Sequence, residues 1–214
     1  MKKTILSLAF ILFPVIVEGA TLKTQGVPTQ KFAEKVTVHP EAQVVWEGAP
    51  KLPKLKLTGA GIRKKKIAFV SLDVYVASSY LDEAISLNAN DPMLAIRQTK
   101  VKAIQLTFLR DLSSDKIRSS FTAALKKNEV DLEAAPIKKA ISLLDFDVKE
   151  GEVLTLLGYV KNPGTEVLVF ETPKGPRVIE GPEVASLFWL IWFGVPEDSG
   201  LETLKEQLVG KSQP

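Results

Sequence analysis

Residues 101–125 have the sequence VKAIQLTFLRDLSSDKIRSSFTAAL, and a change of hydrophobic period within them decides the fold. The first ten residues alternate apolar and polar side chains, which predicts a β-strand with one apolar face. The residues predicted on that face are Ile104, Leu106 and Phe108, with Gln105 and Thr107 on the other face. From Ser114 to Asn128 the apolar residues recur every three or four positions, which predicts an amphipathic helix with Ser113 or Ser114 as its cap.

The same two periods predict elements on both sides of this segment. Further strands are predicted at residues 44–46, 67–77, 153–159, 166–170 and 177–179. Further helices are predicted from Pro136, from Pro182 to residue 193, and at residues 201–209. Residues 187–193 (LFWLIWF) are apolar on every side, so this helix is expected to be buried all round. Because strands and helices are grouped rather than alternating, the sequence predicts an α+β fold with a largely antiparallel sheet.

The first 19 residues have the features of a secretory signal peptide. Lys2 and Lys3 precede an apolar run, residues 5–17, that is too short to span a bilayer. We expect cleavage after Gly19 and a periplasmic or secreted bacterial protein without a stable membrane span; a retained membrane anchor is the alternative. Residues 20–43 are polar and predict a flexible N-terminal arm, which leaves residues 44–214 as one folded domain.

The composition excludes several classes of function. The chain has no cysteine and a single histidine, His39. Disulfide frameworks, thiolate metal sites and histidine-based catalytic triads are therefore excluded. A net charge of +3 over 214 residues lacks the basic excess typical of nucleic-acid binding. We expect no metal, no cofactor and no nucleic-acid partner.

Residues 58–63 (TGAGIR) contain two glycines and invite comparison with a phosphate-binding loop. A dinucleotide fingerprint needs a third glycine and a helix after it. Here the three lysines at 64–66 and another predicted strand follow, so a nucleotide site is not expected. We interpret the lysines as a solvated turn. Arg63 differs from them because it adjoins glycines that allow close backbone packing, and it is the candidate anion-binding residue.

Two further clusters have a functional and a structural interpretation. The carboxylates at positions 145, 147, 150 and 152 could act as an acid–base pair, but their spacing favours the exposed end of a helix. The aromatic residues within 187–193 could line a ligand site, and core packing is the alternative.

Three segments together resemble the chalcone isomerase-like family, in its exported bacterial branch. The first is residues 59–63 (GAGIR) followed by 74–77 (VYVA) and Tyr80-Leu81. The second is residues 106–116 (LTFLRDLSSDK). The third runs from Gly158-Tyr159 through Gly164-Thr165 to residues 187–194 (LFWLIWFG). The resemblance covers roughly residues 44–210 and implies an open-faced β-sandwich, in which helices pack on a curved antiparallel sheet and leave a ligand cleft.

The resemblance also implies two activities between which the residues must decide. Catalytic members cyclise a chalcone, whereas non-catalytic relatives bind fatty acids, with an arginine at the position of Arg63 meeting the carboxylate. Four positions depart from the catalytic pattern by lacking the expected hydroxyl, amide or phenol groups: Val70, Ser113, Ser120 and Ile191. Without those groups the ketone would not be polarised or the nucleophile oriented, so isomerase chemistry is not expected.

The sequence therefore predicts a periplasmic protein that binds a small amphipathic, fatty-acid-like ligand without catalysis. Arg63 is the predicted anion anchor, and Tyr75 and Tyr159 are the predicted hydroxyl contacts. Two alternatives remain open: an intramolecular lyase or isomerase acting on an enone, and a structural or interaction protein whose cleft is filled.

Overall fold

The computed structural model describes residues 21–45 and 53–211. Over these residues the chain forms ten strands and five helices. The strands are β1 Thr21–Gln25, β2 Gln30–Phe32, β3 Val36–Val38, β4 Glu41–Val45, β5 Lys54–Ile67, β6 Val70–Asp82, β7 Val101–Phe108, β8 Val153–Asn162, β9 Thr165–Thr172 and β10 Gly175–Gly181. The helices are α1 Pro92–Gln98, α2 Ser114–Lys127, α3 Ala135–Ser142, α4 Val184–Phe193 and α5 Ser199–Leu208.

Eight of the strands form one sheet in the order β1-β4-β5-β6-β7-β8-β9-β10. Every neighbouring pair in this sheet is antiparallel. Strands β2 and β3 form a separate hairpin. The predicted α+β fold with an antiparallel sheet packed by helices is thus confirmed.

The alternation predicted for residues 101–110 is present in β7. Its even-numbered apolar residues belong to the main core, which the sheet forms with all five helices, and they are fully buried. Val101 and Ala103 point to the opposite face, where they pack with residues of β1, β4 and β9. Each face of the central strands is therefore covered, the first by helices and the second largely by the N-terminal strands.

Helix α4 is the centre of the helical layer, as its all-apolar composition predicts. Phe188 and Trp189 are completely buried, and Trp192 is buried against Phe121 of α2, with ring centroids 5.6 Å apart. Asn128, at the end of α2, caps α4: its side-chain amide donates to the Leu190 carbonyl and its carbonyl oxygen accepts from the Val195 amide. The helix is therefore fixed at its C-terminal end by a neighbouring element.

A buried ion pair joins α4 to the sheet. Lys102 of β7 is completely buried, and its Nζ lies 2.7 Å from Oε1 of Glu166 and 3.0 Å from Oγ of Ser186. Burial lowers the pKa of Lys102. Burial also raises the pKa of Glu166, but the charge of Lys102 and the hydrogen bonds from Lys102 and Ser186 outweigh it, so the pKa of this carboxyl is lowered. The two side chains thus satisfy each other's hydrogen-bonding groups inside the core.

The N-terminal segment differs from the expectation of a flexible arm for residues 20–43. Strands β1 and β4 extend the main sheet, and the β2–β3 hairpin packs Phe32 and Val38 against Ala60 and Val76 on its second face. The few apolar residues of the N-terminal segment are sufficient to hold it in place, because each packs against apolar residues of the main sheet. The predicted signal peptide, and Trp46 of the predicted strand 44–46, lie outside the described residues.

The connection between β5 and β6 also differs from the expectation. The three lysines at 64–66, interpreted as a turn, continue β5, and the chain turns at Ala68 and Phe69 instead. Ala68 has a φ of +53°, the left-handed conformation that a tight hairpin turn needs. No glycine marks this turn, so the sequence pattern placed it at the wrong residues. Helix α1 was not predicted at all; it starts at Pro92 with Asp91 as its cap.

Candidate functional site

A cavity of about 420 Å³ lies between the helical layer and one end of the sheet. The sheet side is formed by the ends of β5, β6 and β7, and the helix side by α2, α4 and α5. Its apolar lining residues are Ile67, Leu72, Val74, Tyr75, Phe108, Leu112, Ile117, Phe121, Ile191 and Leu201. Its charged lining residues are Arg63, Lys65, Arg110, Asp111, Lys116 and Glu197, joined by Ser119 and Ser120. The cleft is therefore open rather than filled by side chains.

The glycines next to Arg63 allow α5 to dock on β5. A Cβ atom at Gly59 would overlap the backbone carbonyl oxygens of Gln207 and Leu208, and one at Gly61 would overlap the Gln207 side chain. Gln207 instead accepts a hydrogen bond from the Ile62 amide. The glycine motif thus serves helix–strand packing, which fixes the wall of the cavity formed by α5.

Arg63 is buried beside the cavity, where it is occupied by an ion pair. Its two Nη atoms donate to the two carboxylate oxygens of Asp198, each at 2.7 Å, and Nη1 also donates to the Lys64 carbonyl. Glu197 lies 4.0 Å away, and Lys65 donates to Asp198 at 2.6 Å. Such a two-pronged pair is the strongest geometry an arginine can adopt with a carboxylate. Both Nη atoms of Arg63 are therefore already bonded to a carboxylate of the protein.

Asp198 combines this ion pair with a capping role. Its side chain accepts from the Leu201 amide at the start of α5. Burial raises the pKa of Asp198, but the hydrogen bonds from Arg63 and Lys65 outweigh it and hold the pKa well below its usual range. The carboxylate is thus ionised at neutral pH and ties α5 to β5.

Tyr75 lies where the sequence placed it, in the wall of the cavity. Its hydroxyl accepts a hydrogen bond from the Trp192 indole at 3.1 Å, and its ring packs edge-on against Phe108. Burial raises the pKa of Tyr75, so the hydroxyl keeps its proton. Within residues 21–45 and 53–211 no hydrogen bond donated by this hydroxyl is present, which leaves its proton available to a bound molecule.

Tyr159 is not brought to the cavity. It lies in β8, paired with Val101 and Val167, and packs at the second face of the sheet. Burial, followed by the nearby Glu180, raises its pKa to about 12. The structure therefore brings two of the three predicted residues together and places the third on the opposite side of the sheet.

Arg110 is a cavity residue that the sequence analysis did not select. It lies at a bend two residues after Phe108, the last residue of β7, and both side chains line the cavity. Its Nε atom is buried and has no hydrogen-bond partner, and no acidic side chain in the described part of the chain pairs with its guanidinium. Asp111 is the adjacent carboxylate, and it is paired with Lys149 at 2.9 Å. The signal in the sequence was an arginine at the end of a predicted apolar strand.

The four positions that depart from the catalytic pattern lie in different places. Ser120 and Ile191 line the cavity, whereas Ser113 is the residue before α2 and Val70 is exposed at the β5–β6 turn. Lys116 lines the cavity from α2.

An antiparallel sheet with helices on one face, and an apolar cavity with charged residues at one end between the two layers, define a small α+β domain. The model of the chalcone isomerase-like family matches residues 33–210. The chain therefore belongs to the chalcone isomerase-like family.

Comparison with solved structures finds similarity to a fatty-acid binding protein of Arabidopsis thaliana. The identity is 19%, the TM-score is 0.49, and the match covers 72% of this chain and 86% of that one. Comparison with curated proteins finds no match. In the described part of the chain no helix has both the length and the apolar character needed to cross a membrane.

Proposed function

We propose that this protein binds a small amphipathic molecule with an anionic head group, of the fatty-acid type, without catalysing a reaction on it. The observation that carries the proposal is an apolar cavity whose wall contains the buried, unpartnered Nε of Arg110. A volume of about 420 Å³ lies within the usual range of small-molecule sites. A buried N–H without a partner is costly, and a ligand oxygen would satisfy it.

The distribution of charge along the cavity supports an anionic head group. Arg63 and Lys65 are neutralised by Asp198 and Glu197, and Asp111 is neutralised by Lys149. Arg110 and Lys116 remain without acidic partners in the described residues. We therefore propose Arg110 as the anchor and Tyr75 as a hydroxyl donor, while Arg63 contributes the positive field and the position of α5.

The apolar part of the ligand would provide most of the affinity. Each methylene removed from water contributes about 0.8 kcal/mol, so a chain of ten carbons contributes about 8 kcal/mol before the cost of association. A charge-assisted hydrogen bond contributes about 1.5–3 kcal/mol. Loss of the Arg110 bond should thus weaken binding about 10- to 150-fold.

The proposal is tested by binding titrations with a fatty acid and the fatty alcohol of equal chain length. Arg110→Gln should weaken binding of the acid and leave binding of the alcohol nearly unchanged. Arg97→Gln is the matched control, because Arg97 is exposed in the last turn of α1 and does not line the cavity. Equal affinity of the wild-type protein for acid and alcohol would contradict an anionic head group, and an unchanged acid affinity in Arg110→Gln would contradict the anchor.

The non-catalytic role and the periplasmic location are tested separately. The cavity offers Ser120 and Ile191 where the catalytic pattern has other groups, so incubation with a chalcone should give no steady turnover. Turnover above the uncatalysed rate would favour the enone isomerase alternative. Mass spectrometry of the chain recovered from the periplasm of an exporting host should show that residues 1–19 have been removed.

A further inference from the structure

The turn between β5 and β6 exposes three large apolar side chains at the end of a long hairpin. Residues 67–70, which we call the hairpin tip, include Ile67, Phe69 and Val70, with relative exposures of 60%, 99% and 58%. Ala68 between them has a φ of +53°, a conformation that a residue with a side chain rarely adopts. Exposed apolar side chains are common singly, but three neighbouring ones at a projecting turn indicate a contact surface.

The hairpin tip adjoins the opening of the cavity. Ile67 belongs to both, since it is exposed at the tip and also lines the cavity. Leu72 and Lys65, which face each other across the hairpin, line the cavity as well. A surface on which the tip rests would therefore meet the site at its open end.

Cations surround the tip in excess of the available anions. Asp73 lies 3.9 Å from Lys64, and Glu197 and Asp198 are taken up by Arg63 and Lys65. Lys66, directly before the tip, and Lys116, at the cavity, have no acidic partner in the described residues. An apolar point bounded by unpaired lysines matches the boundary between acyl chains and anionic head groups.

We propose that the hairpin tip inserts into the head-group region of an anionic lipid bilayer and places the cavity opening at the membrane surface. A protein partner fits these features less well, because a stable protein interface uses roughly 20–30 residues on each side. Three apolar side chains on a projecting turn are too few for that, whereas insertion of a few side chains is sufficient for reversible membrane binding. This proposal depends on the tip and not on ligand binding in the cavity.

The absence of cysteine allows a local test in the full chain. Ser71→Cys introduces a single thiol beside the tip without removing any of its apolar residues, and it is labelled with an environment-sensitive fluorophore. Asn162→Cys is the matched control, because the β8–β9 turn lies at the opposite end of the strands. The probes are vesicles of phosphatidylcholine alone and vesicles containing one third phosphatidylglycerol.

The label at position 71 should shift to the blue with the anionic vesicles, and the label at position 162 should not. In the Ser71→Cys background, Phe69→Asp should weaken vesicle binding, measured by the blue shift, at least tenfold, and Lys66→Glu should weaken it about fivefold or more. High salt should also weaken binding to the anionic vesicles, because it screens the lysines. The proposal is overturned if position 71 gives no shift, if both positions shift equally, or if the shift depends on protein concentration without vesicles, which would indicate contact between two copies.

Discussion

The pair between Arg63 and Asp198 should make Asp198→Asn strongly destabilising, although the substitution changes hardly any volume. The side chain of Arg63 is only 8% exposed, and its two Nη atoms are bonded to Asp198. Asparagine can still cap α5 and accept one hydrogen bond, but it carries no charge. The variant therefore leaves a buried guanidinium without its main counter-ion.

The magnitude follows from the burial of the two partners. Removing one member of a fully buried ion pair costs about 3–5 kcal/mol. Asp198 is 26% exposed and Glu197 lies 4.0 Å from Arg63, so water and the second carboxylate recover part of this loss. We expect a loss of about 2–3 kcal/mol in the free energy of unfolding. Asp198→Ala should cost about 1 kcal/mol more, because the cap is lost as well.

Urea denaturation followed by the fluorescence of the buried Trp189 and Trp192 measures both variants. Asp91→Asn is the matched control, since Asp91 caps α1 through the Leu94 amide and forms no ion pair in the described residues. That control should change stability by less than about 0.5 kcal/mol. If Asp198→Asn is as mild as the control, the ion pair does not anchor α5 and the reasoning is refuted.

The same pair gives a pH dependence whose sign is fixed. The pKa of Asp198 is lower in the folded state than its ordinary unfolded value of about 3.9. Its stabilisation is therefore fully present above the unfolded pKa and is lost as the pH falls toward the folded pKa. The difference in stability between wild type and Asp198→Asn should be constant above about pH 5 and shrink below about pH 4.

Two further pairs of substitutions test the packing that positions the cavity. Lys102→Met should lower the free energy of unfolding by about 3–5 kcal/mol, because it leaves Glu166 buried without its cation. Adding Glu166→Gln should recover part of this loss in the same urea assay. A loss of under about 1 kcal/mol for Lys102→Met alone would contradict the prediction. Gly59→Ala should cost at least about 2 kcal/mol because its Cβ meets the backbone of α5, whereas Gly61→Ala meets only the flexible side chain of Gln207 and should cost less. Equal losses in thermal unfolding would show that α5 is not docked through Gly59.

The class of fold could be predicted from local periodicity, because strands and helices bury one face at fixed residue spacing. The strand predicted at residues 101–110 buries its predicted apolar face, and the apolar helix 187–193 is almost wholly buried, as expected. Turns without glycine or asparagine give no such signal, and the Ala68–Phe69 turn was placed several residues too early. Strands β1, β2 and β3 were missed for a related reason, because isolated apolar residues predict a strand only when a sheet is present to pack against them.

The structure places only some of the residues selected from the sequence at the cavity. Arg63 and Tyr75 were selected and both line the cavity, whereas Tyr159, in a segment that resembled the family equally well, points to the other face of the sheet. In a strand a displacement of one residue reverses the face, so the resemblance of a segment to a family does not decide which face a side chain occupies. Arg110 was overlooked because nothing in the sequence distinguishes an unpaired arginine from a paired one.

By itself, therefore, the sequence determined most of the elements, the class of fold, the family and the absence of cysteine-based chemistry. These properties depend on residue type and on spacing along the chain, which are local. Only the tertiary structure decided that Arg63 pairs with Asp198, which is 135 residues away in the sequence. It also decided that Arg110 has an unpartnered N–H at the cavity. Charges pair through space, and the partner that a charge finds depends on how distant segments pack.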